Sequence, residues 1–396
     1  MGYYTGVAGL GASPTDVTIN GHVDVYNRCL TPDNCIALNN FWRSLSNLTI
    51  NVKGLSDCRA SGDFWAVSQA APMRRVNITG GNLTLMDYCT AGPQYASGGF
   101  IAKPTDSAQT INVALARGQN LIFTPGIYQV DKTIKVKRAD TVVLGLGFPT
   151  LVPSDGVIPM TVADVTGVKL AGLMFDAGPV NSPVLLQVGT PHAHKSDPTN
   201  PTSLQDVFLR IGGATPGKAT TSLVVNSDNV LLDNIWAWRA DHGNGVGWTS
   251  NTADTGVIVN GDNVTAYGLF VEHYQKYQLI WNGENGKTIF FQNEMPYDPP
   301  NQAAWTHDGV NGYAAYKVAD SVETHEAWGL GSYCFFNVGP SIHAARGFEV
   351  PDTSGVKLHD ILTVFLNGFG GIDHVVNDTG AAVNATNQVV NVVNYP

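Results

Sequence analysis

The sequence predicts an all-β protein of the parallel β-helix class, and three observations carry that prediction. Short strand-like runs recur along the chain, among them "VTINGHVDV", "MRRVNITGGNLTLMD", "GVKLAGLMFD", "NVLLDNIWAW", "NVTAYGLFVE" and "KTIFFQNE". Most are opened by Asp, Asn, Ser or Gly and alternate apolar with polar residues, which is strand periodicity bounded by turn signals. Equivalent points recur at solenoid intervals: Asn229 to Asn263 is 34 residues, Asn263 to Asn285 is 22, and Ser321 to Gly355 is 34 again. The composition agrees, with 43 glycines and only 14% charged residues in 396, which suits a turn-rich all-β chain better than a helical one.

Taken in chain order, residues 1–103 read as a partial first β-helical unit and 104–396 as a complete second one. Four of the five cysteines (Cys29, Cys35, Cys58, Cys89) lie in the first unit and Cys334 in the second. With no CxxC pair they fit no zinc pattern. Cys29–Cys35 and Cys58–Cys89 would suit disulfides of an exported protein, and buried free thiols fit equally well. Sequons at Asn47, Asn77, Asn82, Asn263, Asn377 and Asn384 fit glycan acceptors or simply the Asn and Thr of strand turns. The opening "MGYYTGVAGLGASPTD" lacks a basic start followed by an apolar block. The chain is therefore expected to stay inside the cell or to be a fragment or mature form.

One segment breaks the strand rhythm. "TDSAQTINVALARGQ" (Thr105 to Gln119) places Ile111, Ala114 and Leu115 at helical spacing, with Thr105 or Asp106 to cap its start and Gly118 its end. A single amphipathic helix there is expected to act as the lid of the second β-helix, covering apolar side chains and unpaired backbone groups.

Beyond the lid, "NGDNVTAYGLFVE" (Asn260 to Glu272) and "NGENGKTIFFQNE" (Asn282 to Glu294) share their opening and their final glutamate at an offset of 22 (282 − 260 and 294 − 272). If that offset is one coil, Glu272 and Glu294 are vertical neighbours about 4.8 Å apart at Cα. Nine-residue spacings from Gly167 and Asn229 extend the column to Asp176, Trp238, Glu272, Glu294, with uncounted coils between the first two. Stacked carboxylates repel, so one pKa is expected to rise, and a protonated acid beside a carboxylate is what glycoside hydrolysis uses. Tyr274, Tyr277, Tyr297, Trp305, Tyr313 and Trp328 follow as candidate faces for sugar rings. A polar column on a solenoid also serves as a plain solvated ladder, so spacing alone leaves both readings open. His273 is expected on the other side of the strand from Glu272. His242, in "RADHGNG", reads equally as an ordinary polar loop residue.

The formal charge of −10 argues against nucleic acid and polyanionic substrates and suits a neutral ligand. No apolar run reaches membrane-spanning length. No phosphate-binding GxxxxGK[ST] loop is present, which disfavours a nucleotide enzyme. A polygalacturonase would need GHG and RxK elements, and neither occurs. A pectate lyase would need an acidic calcium site and a basic proton acceptor; Asp176, Asp241 and Arg239 are the nearest candidates and form no compelling cluster.

The stretch "YGLFVEHYQKYQLIWNGENGKTIFFQNEMPYDPP", then "EAWGLGSYCFFN", "WRADHGNG", "FWAVSQAAPMRRVNI" and "SGGF", resembles glycoside hydrolase family 55. These are exo-acting β-1,3-glucanases built from two side-by-side parallel β-helices. The resemblance implies a right-handed, pectin-lyase-like β-helix, an inverting hydrolase and an exported protein. Glu294 in "NEMPY" matches the family's general acid and Glu272 in "VEHY" a second glutamate near the attacking water. Gln69 in "VSQ" and Ser97 in "SGGF" match residues that hold that water. Inverting pairs are usually separated by about 6.5–9.5 Å, more than ideal stacking gives, so either the side chains splay or, the favoured expectation, the base is the Gln69- and Ser97-bound water with no single carboxylate partner. Asp241 and His242 match the family's ADH loop, expected at the substrate together with Tyr274, Tyr277, Tyr297, Trp305 and Trp328. The expected partner is a poly- or oligosaccharide, bound by a monomer without nucleic acid, membrane, metal or cofactor. Two departures stand out. Met295 replaces the usual Thr beside the acid and is expected to reshape the sugar pocket. The join "GGFIAKPTDSAQTIN" almost lacks the stretch that completes the first β-helix in relatives, and the chain starts without its first coils, so the first unit reads as shortened at both ends.

Overall fold

The computed structural model describes residues 1, 4–25, 42–53, 62–65, 70–85, 99–193, 195–339 and 341–396. The expected cysteine pairs Cys29–Cys35 and Cys58–Cys89 lie outside the described residues. Cys334 is a buried free thiol, pushed up to about 12 by that burial.

Most of the chain winds into one parallel solenoid. The larger sheet runs from Gly99–Ala102 and Asn120–Phe123 through Lys169–Asp176, Thr202–Ile211, Val230–Arg239, Thr265–Glu272 and Gly286–Glu294 to His325–Phe336 and Val356–Gly368. A second parallel sheet stacks the intervening strands, from Ile134–Val136 to Gly370–Val376. Leucines, valines and phenylalanines from both sheets fill the continuous interior; Leu170, Leu204, Leu232 and Leu269 are among those fully buried. Val389–Tyr395 pairs antiparallel with Val356–Gly368, so the far edge of the larger sheet is closed by a strand of the same chain.

Each long strand bends at one level. Gly172, Asp206, Asn234, Gly268, Phe290, Gly329 and Asp360 all have left-handed φ, between 53° and 67°. Neighbouring members differ by the same offsets as the strand pairs around them, 34 residues for Gly172–Asp206 and 28 for Asp206–Asn234. Glycine, Asp and Asn tolerate this conformation, which explains their recurrence mid-strand in the sequence.

The tetrapeptide repeats stack as well. The Asn260 Nδ2 donates to Asn226 Oδ1 at 2.7 Å and Asn282 Nδ2 to Asn260 Oδ1 at 2.7 Å. The Asp262 amide donates to Asp228 Oδ1 and the Glu284 amide to Asp262 Oδ1. Pairing of Thr265 with Lys287 makes the offset 22 one coil. The expected step of 34 from Ser321 to Gly355 is corrected: His325 pairs with Val356, so that coil is 31 residues (356 − 325), because the connecting loop is shorter than the spacing of turn residues suggested.

The lid helix spans Ala108–Ala116 and buries Ala108, Ile111, Ala114 and Leu115 on the end of the solenoid. Its N-cap is Ser107, whose Oγ accepts from the Thr110 amide, rather than Thr105 or Asp106. Asp106 instead accepts from the Lys103 amide one turn earlier. Gly118 follows the helix at φ +82°.

The N-terminal strands Thr5–Ala8, Thr18–Asn20, Arg43–Asn51 and Met73–Thr79 form a separate parallel sheet around Leu45, Leu48, Ile50, Trp65 and Met73. Gly99–Ala102, on the N-terminal side of the boundary expected at 103, adds to the sheet of the second unit. The two cores meet where Trp42 and Ala70 pack on Phe148, Phe208, Trp236 and Trp238. No helix is long and apolar enough to cross a membrane.

Candidate active site

The residue column predicted from spacing exists, and pairing fills its gap. Asp176 lies beside Arg210, Arg210 beside Trp238 and Trp238 beside Glu272. Phe270 pairs with Gln292, so two residues on, Glu272 faces Glu294, and the His273 amide donates to the Glu294 carbonyl at 2.8 Å. Glu294 in turn lies beside Tyr333. Each of the six stands four residues after the left-handed bend of its strand, which aims their side chains along one flank. Asp176 is spent in a two-point contact with Arg210, at 2.7 and 3.2 Å.

The two glutamates sit in unequal surroundings. Glu272 is 3% exposed. Its Oε2 accepts from the Trp236 indole N–H at 2.7 Å, while Oε1 has no protein partner. Burial, and then the charge of Glu294, push its carboxyl up to about 8, against the Trp236 hydrogen bond and the opposing pull of the Gln292 amide. Repulsion was the expected cause; burial is the larger one, since a carboxylate loses its hydration there. Glu294 is half-buried and accepts from the Tyr297 hydroxyl. Burial, with the charge of Glu294 second, raises the phenols of both Tyr297 and Tyr333, so neither competes for its proton. Glu272, the deeper of the two, therefore keeps its proton to higher pH than an ordinary carboxyl.

The other candidate residues divide into those at the column and those away from it. Asp241 accepts from His242 Nδ1 at 3.0 Å and lies 3.8 Å from His273 Nε2. The His242 ring, 70% exposed, lies 5.4 Å from the Trp238 ring. Tyr297 packs its ring against His273 and Phe335 beside Glu294. His273 departs from simple alternation: its φ of +66° turns the chain, and its ring is buried between Tyr297, Asp241 and the Met295 carbonyl.

Several expectations are corrected. Tyr274 is fully buried inside the solenoid with its hydroxyl 2.6 Å from Ser222 Oγ, so it offers no face to a sugar. Trp305 and Met295 are likewise fully buried, packed together with Cys334 and Phe336, so Met295 does not line a pocket. Tyr277 is tied to His307 and Glu349 and packs on Tyr313, away from the carboxyl column. Trp328 stacks on His359 and pairs with Ile289, five residues before Glu294 (294 − 289), about 16 Å along the strand. Gln69 and Ser97 lie outside the described residues. Trp236 and Tyr333 went unnoticed in the sequence; Trp236 stands two residues before Trp238, on the same face of the strand, and that alternation was the available signal.

The rival chemistry finds no support in the geometry. Arg239 is 1% exposed and clamped by Asp298 at 2.9 Å and by the carbonyls of Asn251 and His273, so it is no free proton acceptor. Among the described residues no group of three or more His, Cys, Asp or Glu is placed to hold a metal ion.

A family model described as the LAM55 pectate lyase-like domain matches residues 100–294, a span that ends on Glu294. An exo-β-1,3-glucanase of Streptomyces sp. (strain SirexAA-E / ActE) is 42% identical over 505 residues, covering 100% of this chain and 81% of the relative. The chain belongs to glycoside hydrolase family 55. A solved structure of a family-55 relative, sacteLam55A from Streptomyces sp. SirexAA-E, superposes with a TM-score of 0.88 at 41% identity, covering 100% of this chain and 89% of that one. A glutamate-to-alanine variant of sacteLam55A in complex with glucose gives 0.89 at the same identity and coverage. The fold is therefore the pectate-lyase-like parallel β-helix of family 55. The 505-residue match leaves 109 positions (505 − 396) with no counterpart in this shorter chain.

Proposed function

We propose that this family-55 chain hydrolyses a neutral β-1,3-glucan, releasing glucose from chain ends with inversion at the anomeric carbon. The observation that carries the reading is the Glu272–Glu294 pair, a buried carboxyl that retains its proton near neutrality stacked on a more accessible one. The 42%-identical exo-β-1,3-glucanase supplies the substrate class. Such a polymer is met outside the cell, and we propose export.

Glu294 is the general acid. A glucosyl unit seated over it strips its water and raises its proton affinity, drawing the proton from Glu272. Glu294 then protonates the leaving oxygen as the anomeric C–O bond breaks. A water on the opposite face forms the new C–O bond and gives its proton towards Glu272, now a carboxylate steadied by the Trp236 N–H. We assign Gln69 and Ser97 to holding that water, and Asp241, His242 and Tyr297 to the sugar. A stacked pair is closer than the roughly 6.5–9.5 Å usual for inverting carboxyls. Glu272 accepts from Trp236 and Glu294 from Tyr297, so each carboxyl is held by a different partner.

Sugar release from laminarin, with calcium chelated, tests the reading. The parent is expected to release glucose, and Glu294→Gln to lose at least about 100-fold in kcat while still binding oligosaccharide. Loss of both properties, or of neither, would remove Glu294 from the acid role. A second reading, a carbohydrate-binding β-helix without catalysis, draws on the 109 positions missing relative to the glucanase. It requires a folded parent that binds glucan and releases nothing.

A further inference from the structure

Three indole rings form a stack that runs from the N-terminal unit to the carboxyl pair. Trp42 lies 5.0 Å from Trp236 and Trp236 lies 5.1 Å from Trp238, both pairs within 22° of parallel. All three are at most 6% exposed. Trp42 is held from both sides: its amide donates to the Ala70 carbonyl, its carbonyl accepts from the Tyr4 amide, and Phe208 meets its ring edge-on. Its φ of +62° is unusual for a bulky residue, and such a conformation persists only where the surroundings fix it. The middle ring of the stack is the one whose N–H reaches Glu272 Oε2.

We propose that Trp236 is a positioning residue for Glu272, and that Trp42, from the other unit of the chain, clamps its indole so that the N–H favours the ionised form of Glu272. The proposal rests on the hydrolase reading for its kinetic consequence, but the hydrogen bond itself does not. The groups facing Glu272 are Trp236, Gln292, Glu294 and Asp241, with Tyr274 and Tyr297 also within electrostatic reach. Of these, Trp236 donates a hydrogen bond to the carboxylate at 2.7 Å. Glu294 and Asp241 oppose its ionisation. By stabilising Glu272 as a carboxylate, Trp236 eases the loss of its proton when the reaction needs a carboxylate there. A ring without the N–H would keep the packing and lose that bias.

The test is Trp236→Phe, which preserves an aromatic in the stack. The alkaline limb of kcat/KM reports loss of the pair's last proton. It is expected to move up by about one pH unit, and kcat to fall by about tenfold, with KM for laminarin oligosaccharides little changed. A packing role alone would leave the limb where it is, and that result overturns the proposal. A second arm needs no turnover. Of the eight indole N–H signals in a nitrogen–proton spectrum of the parent, the one lost in Trp236→Phe should titrate with pH and stop doing so in Glu272→Gln. Its titration amplitude should shrink in Trp42→Ala and return in Trp42→Phe. A Trp236 signal indifferent to Glu272 overturns the hydrogen bond, and an amplitude indifferent to Trp42 overturns the clamp. A parent that releases no sugar while this signal titrates would sink the hydrolase reading and leave the Trp236–Glu272 coupling standing.

Discussion

Glu272 is held protonated near neutrality by its surroundings, and that sets the pH dependence of stability at this position. Its carboxyl rises to about 8 in the folded chain from an ordinary value of 4.5, so between those limits the native state binds the extra proton. Stability from this group is therefore full below about pH 4.5 and is lost as pH rises towards 8. Glu272→Gln removes the titration and can still accept from Trp236. It should be more stable than the parent at pH 8, on the order of 2 kcal/mol, with the gap closing by pH 5, as thermal melts across that range would show. His325 has the opposite sign. Fully buried, with Nε2 against the Tyr316 hydroxyl and Nδ1 without a partner, it is pushed down to about 3 by burial. The unfolded chain then binds the extra proton from about pH 6.5 down to 3, so acid weakens the fold through this residue. His325→Gln should flatten that acid limb in the same melts, whatever it costs at neutral pH; an unchanged slope would mean that another group governs it.

At the scale of the element, the repeat is a stack of tight turns in which each residue type answers a separate need. Asn226, Asn260 and Asn282 hand one side-chain hydrogen bond from coil to coil. The acids at 228, 262 and 284 accept backbone amides of the coil that follows. Gly261 and Gly283 lie where coil backbones touch: a Cβ at Gly283 would sit 1.9 Å from the Gly261 carbonyl oxygen. Backbone on both sides cannot yield as a flexible side chain does. Gly283→Ala should cost about 3 kcal/mol or more in urea unfolding, and Asn260→Ala, which breaks a two-sided ladder at its middle, about 1–2 kcal/mol. An Ala at 283 as stable as the parent would show that the coils can separate locally. Sequons at Asn47 and Asn377 fall under the same logic. The Asn47 amide donates to the carbonyls of Gly9 and Gly11, and that of Asn377 to the Val350 carbonyl and the Tyr395 hydroxyl, so both serve turns.

Across the whole molecule, the N-terminal strands are fastened to the solenoid by charge as well as by indole stacking. Arg74 meets Asp206 at 2.5 and 2.7 Å and Asp233 at 2.9 Å. Burial lowers its proton affinity, but the two carboxylates more than offset that and keep the guanidinium charged. Burial likewise pushes Asp206 up against the pull of Arg74, and the two-point fork, joined by the Asn234 amide, is the arrangement that an ionised carboxylate makes. Arg74→Met would strand Asp206 in a buried site at a cost of about 3–5 kcal/mol, while adding Asp206→Asn and Asp233→Asn should restore most of it. Melting of the single and triple variants checks this, and no recovery in the triple would mean that Arg74 acts through its alkyl packing.

The sequence by itself determined what depends on neighbours along the chain or on the repeat. The strand class, the lid helix, the 22-residue coil and the facing of Glu272 and Glu294 were all legible, because turn residues and alternation are local and stacking copies them at fixed offset. It misjudged the Ser321–Gly355 coil, where loop length blurs the offset, and the burial of Tyr274 and Trp305. An aromatic near a carboxyl in sequence can face the interior, since one residue or one left-handed bend reverses a side chain. Only the tertiary structure decided which glutamate is the more deeply buried and that Trp236 donates a hydrogen bond to it. Those outcomes depend on desolvation and on a hydrogen bond spanning 36 residues, and neither leaves a trace in spacing or composition.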